Sequence, residues 1–336
     1  MSEGIATDNV CQWLSAHVEG FQSPASFELI AGGRSNLTYR CEDAKGHVRV
    51  LRRPPLGHVL QSAHDVAREH RIISALKDST VPVPDTLGLC KDLTVNEAPF
   101  CVFEFVAGDV LHTAEDAQGL SADARQSLGR DVAEVLARLH MIDPEQVGLG
   151  TLGRKEDYLK RQLKRWSSQW EATKTHPIPA MEETFELLNK KRPQQTGASI
   201  VHGDYRLGNM IVLDGRIQAL LDWELCTLGD PLADVGYLLN SWEDAASDSV
   251  DLATVPATGA GGFVDQETLC KIYEARTGRN LENIAYYRAF SHWRLAAIGQ
   301  GVYKRYLMGA MADEVDLEVY KASVSERADS ALALLV

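Results

Sequence analysis

Residues 200–239 read IVHGDYRLGNMIVLDGRIQALLDWELCTLGDPLADVGYLL, and this stretch decides the fold. Aspartates and an asparagine stand there between apolar runs that are typical of buried strands. A carboxylate beside a core is costly unless it is paired, hydrogen-bonded or bound to a metal. The dipeptide Asp214-Gly215, between the runs MIVL and IQALLDW, predicts a tight hairpin. The stretch therefore predicts a hairpin that gathers acidic and amide side chains into one place.

The spacing of three of these side chains indicates a chemistry. Asn209 follows Asp204 by five residues, and the hairpin can return Asp222 to the same small volume. Phosphoryl transfer needs a carboxylate that positions and deprotonates a hydroxyl, and oxygen ligands for Mg²⁺, which prefers few protein ligands beside phosphate oxygens and water. The alternative interpretation is that the same residues cap turns and satisfy loop amides.

The rest of the chain divides into two regions of different character. Up to residue 106, three β-prone runs at 26–31, 36–42 and 47–54 are separated by turn residues, which predicts a meander of antiparallel strands. A helix at 62–77 and a strand at 99–106 complete this α+β region. Beyond it, helical periodicity dominates, beginning with an apolar stripe that Ser121 precedes. A chain of 336 residues is long enough for two lobes.

Four motifs resemble those of a known family. HGDYRLGN (202–209) resembles the HGDxxxxN catalytic loop of the aminoglycoside phosphotransferase-like (APH) family of the protein-kinase-like fold. LDWE resembles that family's counterpart of the kinase metal-binding Asp-Phe-Gly. LRRPP and HWRLAAIGQG resemble the kinase-like domains that are fused to acyl-CoA dehydrogenases. The resemblance implies an α+β, two-lobed protein-kinase-like fold, with a nucleotide-binding lobe at 1–106 and a mainly helical catalytic and acceptor-binding lobe at 107–336.

The resemblance also implies roles in the second lobe. Asp204 would be the catalytic base or hydroxyl-positioning residue, and Asn209 and Asp222 would hold Mg²⁺. Asp230 and Asp234 would support the scaffold, since aspartate before proline is a natural helix start. His202 is interpreted as a brace of the loop.

In the first lobe the resemblance implies a set of residues that contact the nucleotide. They are Gly33, Ser35, Asn36, Arg52, Glu69, Glu104 and Val106. The GGRS turn would cover the triphosphate, although a plain hairpin turn has the same sequence features. Arg52 stands where kinases place a phosphate-gripping lysine, with Glu69 as its ion-pair partner. The alternatives are that Arg53 points inward, or that both arginines face solvent.

The hinge between the lobes and the acceptor pocket complete the expectations for the site. Glu104 and Val106 would offer backbone groups to the purine, and Phe103 and Phe105 are predicted to lie in the core. The acceptor pocket is expected to draw on aromatic and arginine residues of the second lobe. These candidates are Tyr158, Arg161, Trp166, Tyr287, Arg288, Trp293 and Arg294.

Charge and cysteine usage restrict the partners. The net charge of −13 argues against nucleic acid or an anionic membrane as a general partner. The first residues do not resemble a secretory signal, and six scattered cysteines are typical of reduced thiols, so a cytoplasmic location is expected. The oligomeric state is left open.

The function that these features favour is a small-molecule kinase, a phosphotransferase with an alcohol group as acceptor. It would move the γ-phosphoryl group of ATP, or of GTP, with Mg²⁺, to a hydroxyl that a hydroxyacyl-CoA or hydroxy acid could carry. One alternative is a pseudokinase-type module that binds a nucleotide or acyl ligand, for which Arg52 is the support. The other is an antibiotic-resistance phosphotransferase.

Overall fold

The computed structural model describes residues 3–31, 36–56, 65–195, 197–243, 245, 252–311 and 315–336. Gly33 and Ser35, predicted to contact the nucleotide, lie outside the described residues.

The first region is built on an antiparallel sheet. Its strands are β1 (Ala25–Ala31), β2 (Leu37–Asp43), β3 (Val48–Arg53), β4 (Thr86–Cys90) and β5 (Phe100–Glu104). They lie in the order β1-β2-β3-β5-β4. The predicted meander covers β1 to β3; β5 then pairs with β3, and β4 lies at the edge of the sheet beside β5. The burial of β3 alternates along its length, which places Arg52 and Arg53 on opposite faces.

Helices flank this sheet. They are α1 (Thr7–His17), α2 (Val66–Leu76) and α3 (Leu93–Asn96). Asp65 caps α2 by accepting the N–H groups of Ala67 and Arg68, each at 3.0 Å. Apolar residues of α2, among them Ile72 and Leu76, belong to the large core of the second region, whereas α1 packs with β2 and β3 in a smaller core of its own.

The second region is mainly helical. Its helices are α4 (Ala114–Ala117), α5 (Ala122–Met141), α6 (Tyr158–Thr173), α7 (Pro179–Lys190), α8 (Leu232–Asn240), α9 (Gln266–Thr277), α10 (Ile284–Leu307) and α11 (Leu317–Ala333). Ser121 caps α5 through the N–H of Ala124. The central helices α8 and α10 pack against each other, and a Cβ at Gly236 would lie 2.6 Å from the backbone of Tyr287, so this crossing admits only glycine there.

Short strands carry the segment that contains Asp204, Asn209 and Asp222. They are β6 (Asp109–Val110), β7 (Ser199–Val201), β8 (Met210–Leu213), β9 (Arg216–Leu220) and β10 (Thr227–Gly229). The hairpin β8–β9 turns at Asp214-Gly215, where both residues have positive φ, as the dipeptide predicts. The described part of the chain contains no helix long and apolar enough to cross a membrane.

Candidate active site

Asp204 lies in the loop that leaves β7, and its carboxylate is held from two sides. The amide nitrogen of Asn209 donates to Asp204 Oδ2 at 2.7 Å and to the Asp204 carbonyl oxygen at 2.8 Å. The Tyr237 hydroxyl, from α8, donates to Oδ1. Arg206 Nε lies 3.4 Å from the same Oδ1. Asp204 and Asn209, five residues apart, therefore do converge on one small volume.

The backbone of this loop is fixed by Asp234 at the start of α8. Asp234 accepts the N–H of His202 at 2.7 Å and that of Gly203 at 2.8 Å, and its Oδ2 lies 3.2 Å from His140 Nε2. Burial alone would raise the pKa of Asp234, but the hydrogen bonds from His140 and the loop lower it. Asp234 thus supports the scaffold as a charged group.

The turn at His202 and Gly203 leaves little room. Gly203 has φ +88°, and a Cβ there would lie 2.9 Å from Leu225. His202 Nε2 is 3.0 Å from the Leu221 carbonyl oxygen, while the Asp204 N–H approaches its Nδ1 at 3.3 Å. His202 therefore ties the loop of residues 202–209 to the residue that follows β9 and acts as a brace.

Asp222 follows β9 in a left-handed backbone conformation, with φ 61°. A non-glycine residue adopts this region only where its surroundings hold it there. The preceding N–H, of Leu221, donates to the Asn209 carbonyl oxygen at 2.9 Å. This bond joins the two segments that carry the expected metal ligands.

Arg52 connects the first lobe to this segment. Its Nη1 lies 3.0 Å from Glu69 Oε1, and its Nη2 lies 3.4 Å from Asp222 Oδ1. Arg53 points to the other face of the sheet and donates to the Gly4 carbonyl oxygen. Of the two neighbouring arginines, Arg52 is the one that faces the cleft between the lobes.

Two carboxyls near Arg52 have raised pKa values. Burial raises the pKa of Glu69, which is 3% exposed, although Arg52, the Asn36 side chain and the Trp223 N–H oppose that rise. Burial, together with the negative charge of Asp222, raises the pKa of Glu224 to about 7. Glu224 is a residue whose part in this acidic cluster the sequence reasoning missed.

A second arginine of α2 also reaches the segment after Asp222. Arg68 Nη1 donates to the Glu224 carbonyl oxygen at 3.3 Å, and Nη2 donates to the Cys226 carbonyl oxygen. The helix that carries Glu69 is thereby bonded directly to the backbone of the second lobe.

The donor set suits a hard cation. Both bonds of the Asn209 amide nitrogen go to Asp204, so the amide oxygen remains to act as a ligand, and the Asp222 side chain is 25% exposed. No group of three or more His, Cys, Asp or Glu residues with the arrangement of a metal site occurs within the described ranges. One carboxylate and one amide fit Mg²⁺, which takes its other ligands from phosphate and water.

The hinge residues lie at the end of β5. Glu104 is the last residue of this strand and Val106 follows it by two residues, and the Glu104 N–H donates to the Asp85 carbonyl oxygen at 2.9 Å. Phe103 is buried at 4% exposure, as predicted, but the prediction that Phe105 lies in the core is wrong. Phe105 is 40% exposed because the strand ends before it and its side chain leaves the sheet.

A cleft of about 520 Å³ opens beside Asp204. Its lining residues from the helices α8, α10 and α11 include Tyr237, Asn240, His292, Leu295, Ser323, Glu326 and Arg327. Arg206 and Glu243 complete a rim of mixed charge. Burial, with the charges of Arg327 and Arg288, lowers the pKa of His292 to about 4, so His292 is neutral at pH 7.

All four aromatic residues expected to build the acceptor pocket are in the core instead. Tyr158, Trp166, Tyr287 and Trp293 are each 6% exposed or less. Tyr287 donates its hydroxyl to Asp230 Oδ2 at 2.8 Å, which explains how the fully buried Asp230 is satisfied. None of these four side chains lines the cleft beside Asp204.

The chain is similar in sequence to known proteins over most of its length. Residues 26–267 match the sequence model of the phosphotransferase enzyme family, APH. The acyl-CoA dehydrogenase family member 10 of Mus musculus is 36% identical over 307 residues, which cover 86% of this chain. The chain spans only 28% of the length of that relative.

Solved structures share the fold. A structure from Ralstonia eutropha JMP134, provisionally assigned as an aminoglycoside phosphotransferase, is 34% identical, covers 98% of both chains and has a TM-score of 0.83. A ternary complex of aminoglycoside phosphotransferase APH(4)-Ia with AMP-PNP and hygromycin B has a TM-score of 0.62 at 18% identity, covering 97% of this chain and 98% of that one. The predicted α+β, two-lobed protein-kinase-like fold is confirmed.

Proposed function

The chain belongs to the phosphotransferase enzyme (APH) family, and from this premise we propose that it transfers the γ-phosphoryl group of ATP to a hydroxyl group of a small molecule. GTP is the alternative donor. The single observation that carries the proposal is the Asp204 carboxylate, held by Asn209 and Tyr237 at the edge of a cleft into which an acceptor can enter.

The proposal assigns a role to each residue of the site. Residues 1–106 form the nucleotide lobe and residues 107–336 the catalytic and acceptor lobe. Asp204 aligns the acceptor hydroxyl and takes its proton. Asn209 and Asp222 would hold Mg²⁺, which neutralises phosphate charge when it is bound. Catalysis then comes mainly from positioning and from charge neutralisation.

In the nucleotide lobe, Arg52 is assigned to the α- and β-phosphates, with Glu69 holding it in place. The ion pair between these two side chains supports an active kinase over the pseudokinase interpretation. Arginine, at the position where kinases place a lysine, still pairs with the glutamate of the next helix. Gly33, Ser35 and Asn36 are assigned to the triphosphate, and the backbones of Glu104 and Val106 to the purine. The complex of APH(4)-Ia with AMP-PNP supports a nucleotide in this fold.

For the acceptor we propose a hydroxy acid or a hydroxyacyl-CoA. The cations Arg206 and Arg327 on the rim of the cleft suit a carboxylate or phosphate group on the acceptor. Glu243 and Glu326 on the same rim favour the second candidate, a cationic aminoglycoside, in keeping with the complex that APH(4)-Ia forms with hygromycin B. The six free thiols support a reducing, cytoplasmic location.

The nucleotide and metal assignments are tested by thermal shift with ATP and GTP, each with and without Mg²⁺. Ligand binding to the folded state raises the melting temperature by mass action. We expect a Mg²⁺-dependent rise that Asp222→Ala removes and that Asp123→Ala, an exposed aspartate of α5, retains. A wild-type protein that shifts with neither nucleotide contradicts the proposal.

The acceptor class is tested by neighbouring substitutions on α11. Hydroxyacyl-CoAs, hydroxy acids and aminoglycosides are supplied with Mg²⁺-ATP, and ADP formation is measured. With an anionic acceptor, Arg327→Ala raises KM and Glu326→Ala does not. The reverse pattern identifies a cationic acceptor and contradicts the hydroxy-acid assignment.

A further inference from the structure

Helix α8 contacts the catalytic loop through two side chains that lie one turn apart. Asp234 accepts the backbone N–H groups of His202 and Gly203, and Tyr237 reaches the carboxylate of Asp204. Residues at positions i and i+3 lie on the same face of a helix, so one face of α8 contacts both the backbone and the side chain of this loop. Asp234 is a scaffold residue, whereas Tyr237 touches the group that the proposed reaction uses.

The Tyr237 hydroxyl completes the support of that carboxylate. Asn209 donates to Oδ2 from the catalytic loop itself, and Tyr237 donates to Oδ1 from a different element. A carboxylate with one donor on each oxygen cannot rotate about its terminal bond without losing both. Hydrogen bonds to a charged acceptor are about twice as strong as neutral ones, so this pair of donors defines one orientation.

Tyr237 is itself held in place. It is 8% exposed, and the buried Arg294 places its guanidinium 5.3 Å from the centre of the Tyr237 ring. Arg294 Nη2 also donates to the Gly203 carbonyl oxygen at 2.9 Å, one residue before Asp204. Arg294 thus supports both the loop and the tyrosine that contacts it.

The protonation of Tyr237 determines what the hydroxyl can do. Burial, and then the negative charge of Asp204, raise the pKa of Tyr237 well above its usual range. The hydroxyl therefore keeps its proton at every pH at which the protein would be assayed. Toward Asp204 it acts as a donor, and it is not a base that competes for the proton of an acceptor.

From these contacts we propose that Tyr237 is a positioning residue for phosphoryl transfer, whose hydroxyl orients the Asp204 carboxylate toward the acceptor hydroxyl in the cleft. The inference rests on the proposed function. In that reaction the acceptor oxygen forms a bond to the γ-phosphorus, the bond from that phosphorus to the β–γ bridging oxygen breaks, and the acceptor proton goes to Asp204. The nucleoside diphosphate leaves, and Tyr237 retains its own proton throughout.

The test removes the hydroxyl and keeps the ring, as Tyr237→Phe. Its matched control is Tyr287→Phe, a buried tyrosine whose hydroxyl donates to the scaffold aspartate Asp230. The assay measures phosphate released from Mg²⁺-ATP with water as the acceptor, from pH 5 to 9. We expect Tyr237→Phe to lower kcat about 10- to 100-fold, as for the loss of one hydrogen bond to a charged group. Its KM for ATP stays within about twofold, since a lost positioning contact acts on the chemical step.

Two further readouts separate positioning from a structural role. In an Asp204→Asn background the Phe substitution lowers the residual rate no further, since there is no base left to orient. Tyr287→Phe lowers the melting temperature and leaves the rate unchanged.

The two possible failures can be told apart. If the wild type releases phosphate and Tyr237→Phe matches its kcat, the positioning role is overturned while the proposed function stands. If Tyr237→Phe lowers the rate by the same factor in the Asp204→Asn background as in the wild type, the positioning role is overturned as well, because the effect then does not pass through Asp204. A wild type that neither binds nor hydrolyses either nucleotide overturns the proposed function and the inference together.

Discussion

Replacing Arg52 by methionine should destabilise the fold in a way that depends on pH. Methionine keeps an unbranched apolar stem and removes the cation that lies 3.0 Å from Glu69. Glu69 is 3% exposed, so it cannot recover water as a partner. Removing one member of a buried ion pair costs about 3–5 kcal/mol. We expect the lower end of that range, about 3 kcal/mol near pH 8, because the Trp223 N–H and the Asn36 side chain still stabilise the charged form.

The sign of the pH dependence follows from the direction of the Glu69 shift. Burial raises the pKa of Glu69, and loss of Arg52 raises it further. Between the ordinary pKa of glutamate and this raised value, the folded state binds more protons than the unfolded state. The free energy of unfolding therefore falls as pH rises through this window, and the Arg52→Met variant recovers stability toward pH 5.

The assay is urea unfolding of wild type and variant at pH 5, 6, 7 and 8, followed by tryptophan fluorescence. Arg49→Met is the matched control, because Arg49 forms a buried pair with Asp43 at 2.9 Å in the same sheet. Although burial opposes it, Arg49 and three backbone N–H groups lower the pKa of Asp43, which has donors left when Arg49 is removed. The loss of unfolding free energy in Arg49→Met should therefore not become smaller toward pH 5.

A double variant isolates the buried charge. Glu69→Gln in the Arg52→Met background removes the unpaired carboxylate, so the double variant should be more stable than Arg52→Met alone at pH 8. If the loss in Arg52→Met is the same at pH 5 and pH 8, or if Glu69→Gln fails to restore stability, the reasoning about this pair is refuted.

Three other predictions concern the catalytic lobe. Asp204→Asn should lower phosphate release about 10²- to 10⁴-fold, the usual contribution of a general base, and keep the thermal shift with Mg²⁺-ATP; turnover equal to wild type would contradict its role. Asp234→Asn turns an amide toward the loop N–H groups, so urea unfolding should show a loss of about 2–4 kcal/mol, and an unchanged midpoint would contradict the contacts described. Burial lowers the pKa of His292 to about 4, so the unfolded state binds more protons between pH 4 and 6.5 and wild-type stability falls as pH falls through that window. His292→Gln should flatten this slope in urea titrations, and a slope equal to that of wild type would show that His292 does not cause it.

Local patterns were sufficient for the elements that local chemistry specifies. The positive-φ pair Asp214-Gly215 forces the β8–β9 hairpin, as the dipeptide predicts. The choice between Arg52 and Arg53 was left open by the sequence, and the burial pattern of β3 and the ion pair with Glu69 decide it for Arg52. Strands β6, β7 and β10 were beyond such reasoning because each has only two or three residues. They exist through pairing with distant partners, as β10 does with β7, and no window of sequence contains that pairing.

The residues of the candidate site also divide into those that local sequence predicts and those that it does not. The motif places Asp204 and Asn209 within one loop, and five residues of separation are enough to predict that they meet. Tyr237 meets Asp204 across 33 residues, and helical periodicity alone reads it as one more apolar position of α8. Tyr287 and Trp293 were expected at the acceptor because aromatic residues serve both in cores and in pockets, and only the packing distinguishes the two uses.

Helix α2 belongs to the first lobe by chain order, yet Arg68 bonds it to the carbonyl oxygens of Glu224 and Cys226. Its apolar face joins the core of the second lobe as well. The unit that recombination can exchange between homologous kinases is therefore not the lobe. A chimera with a crossover between α2 and residues 222–226 takes the arginine from one parent and its acceptors from the other, so both should come from the same parent.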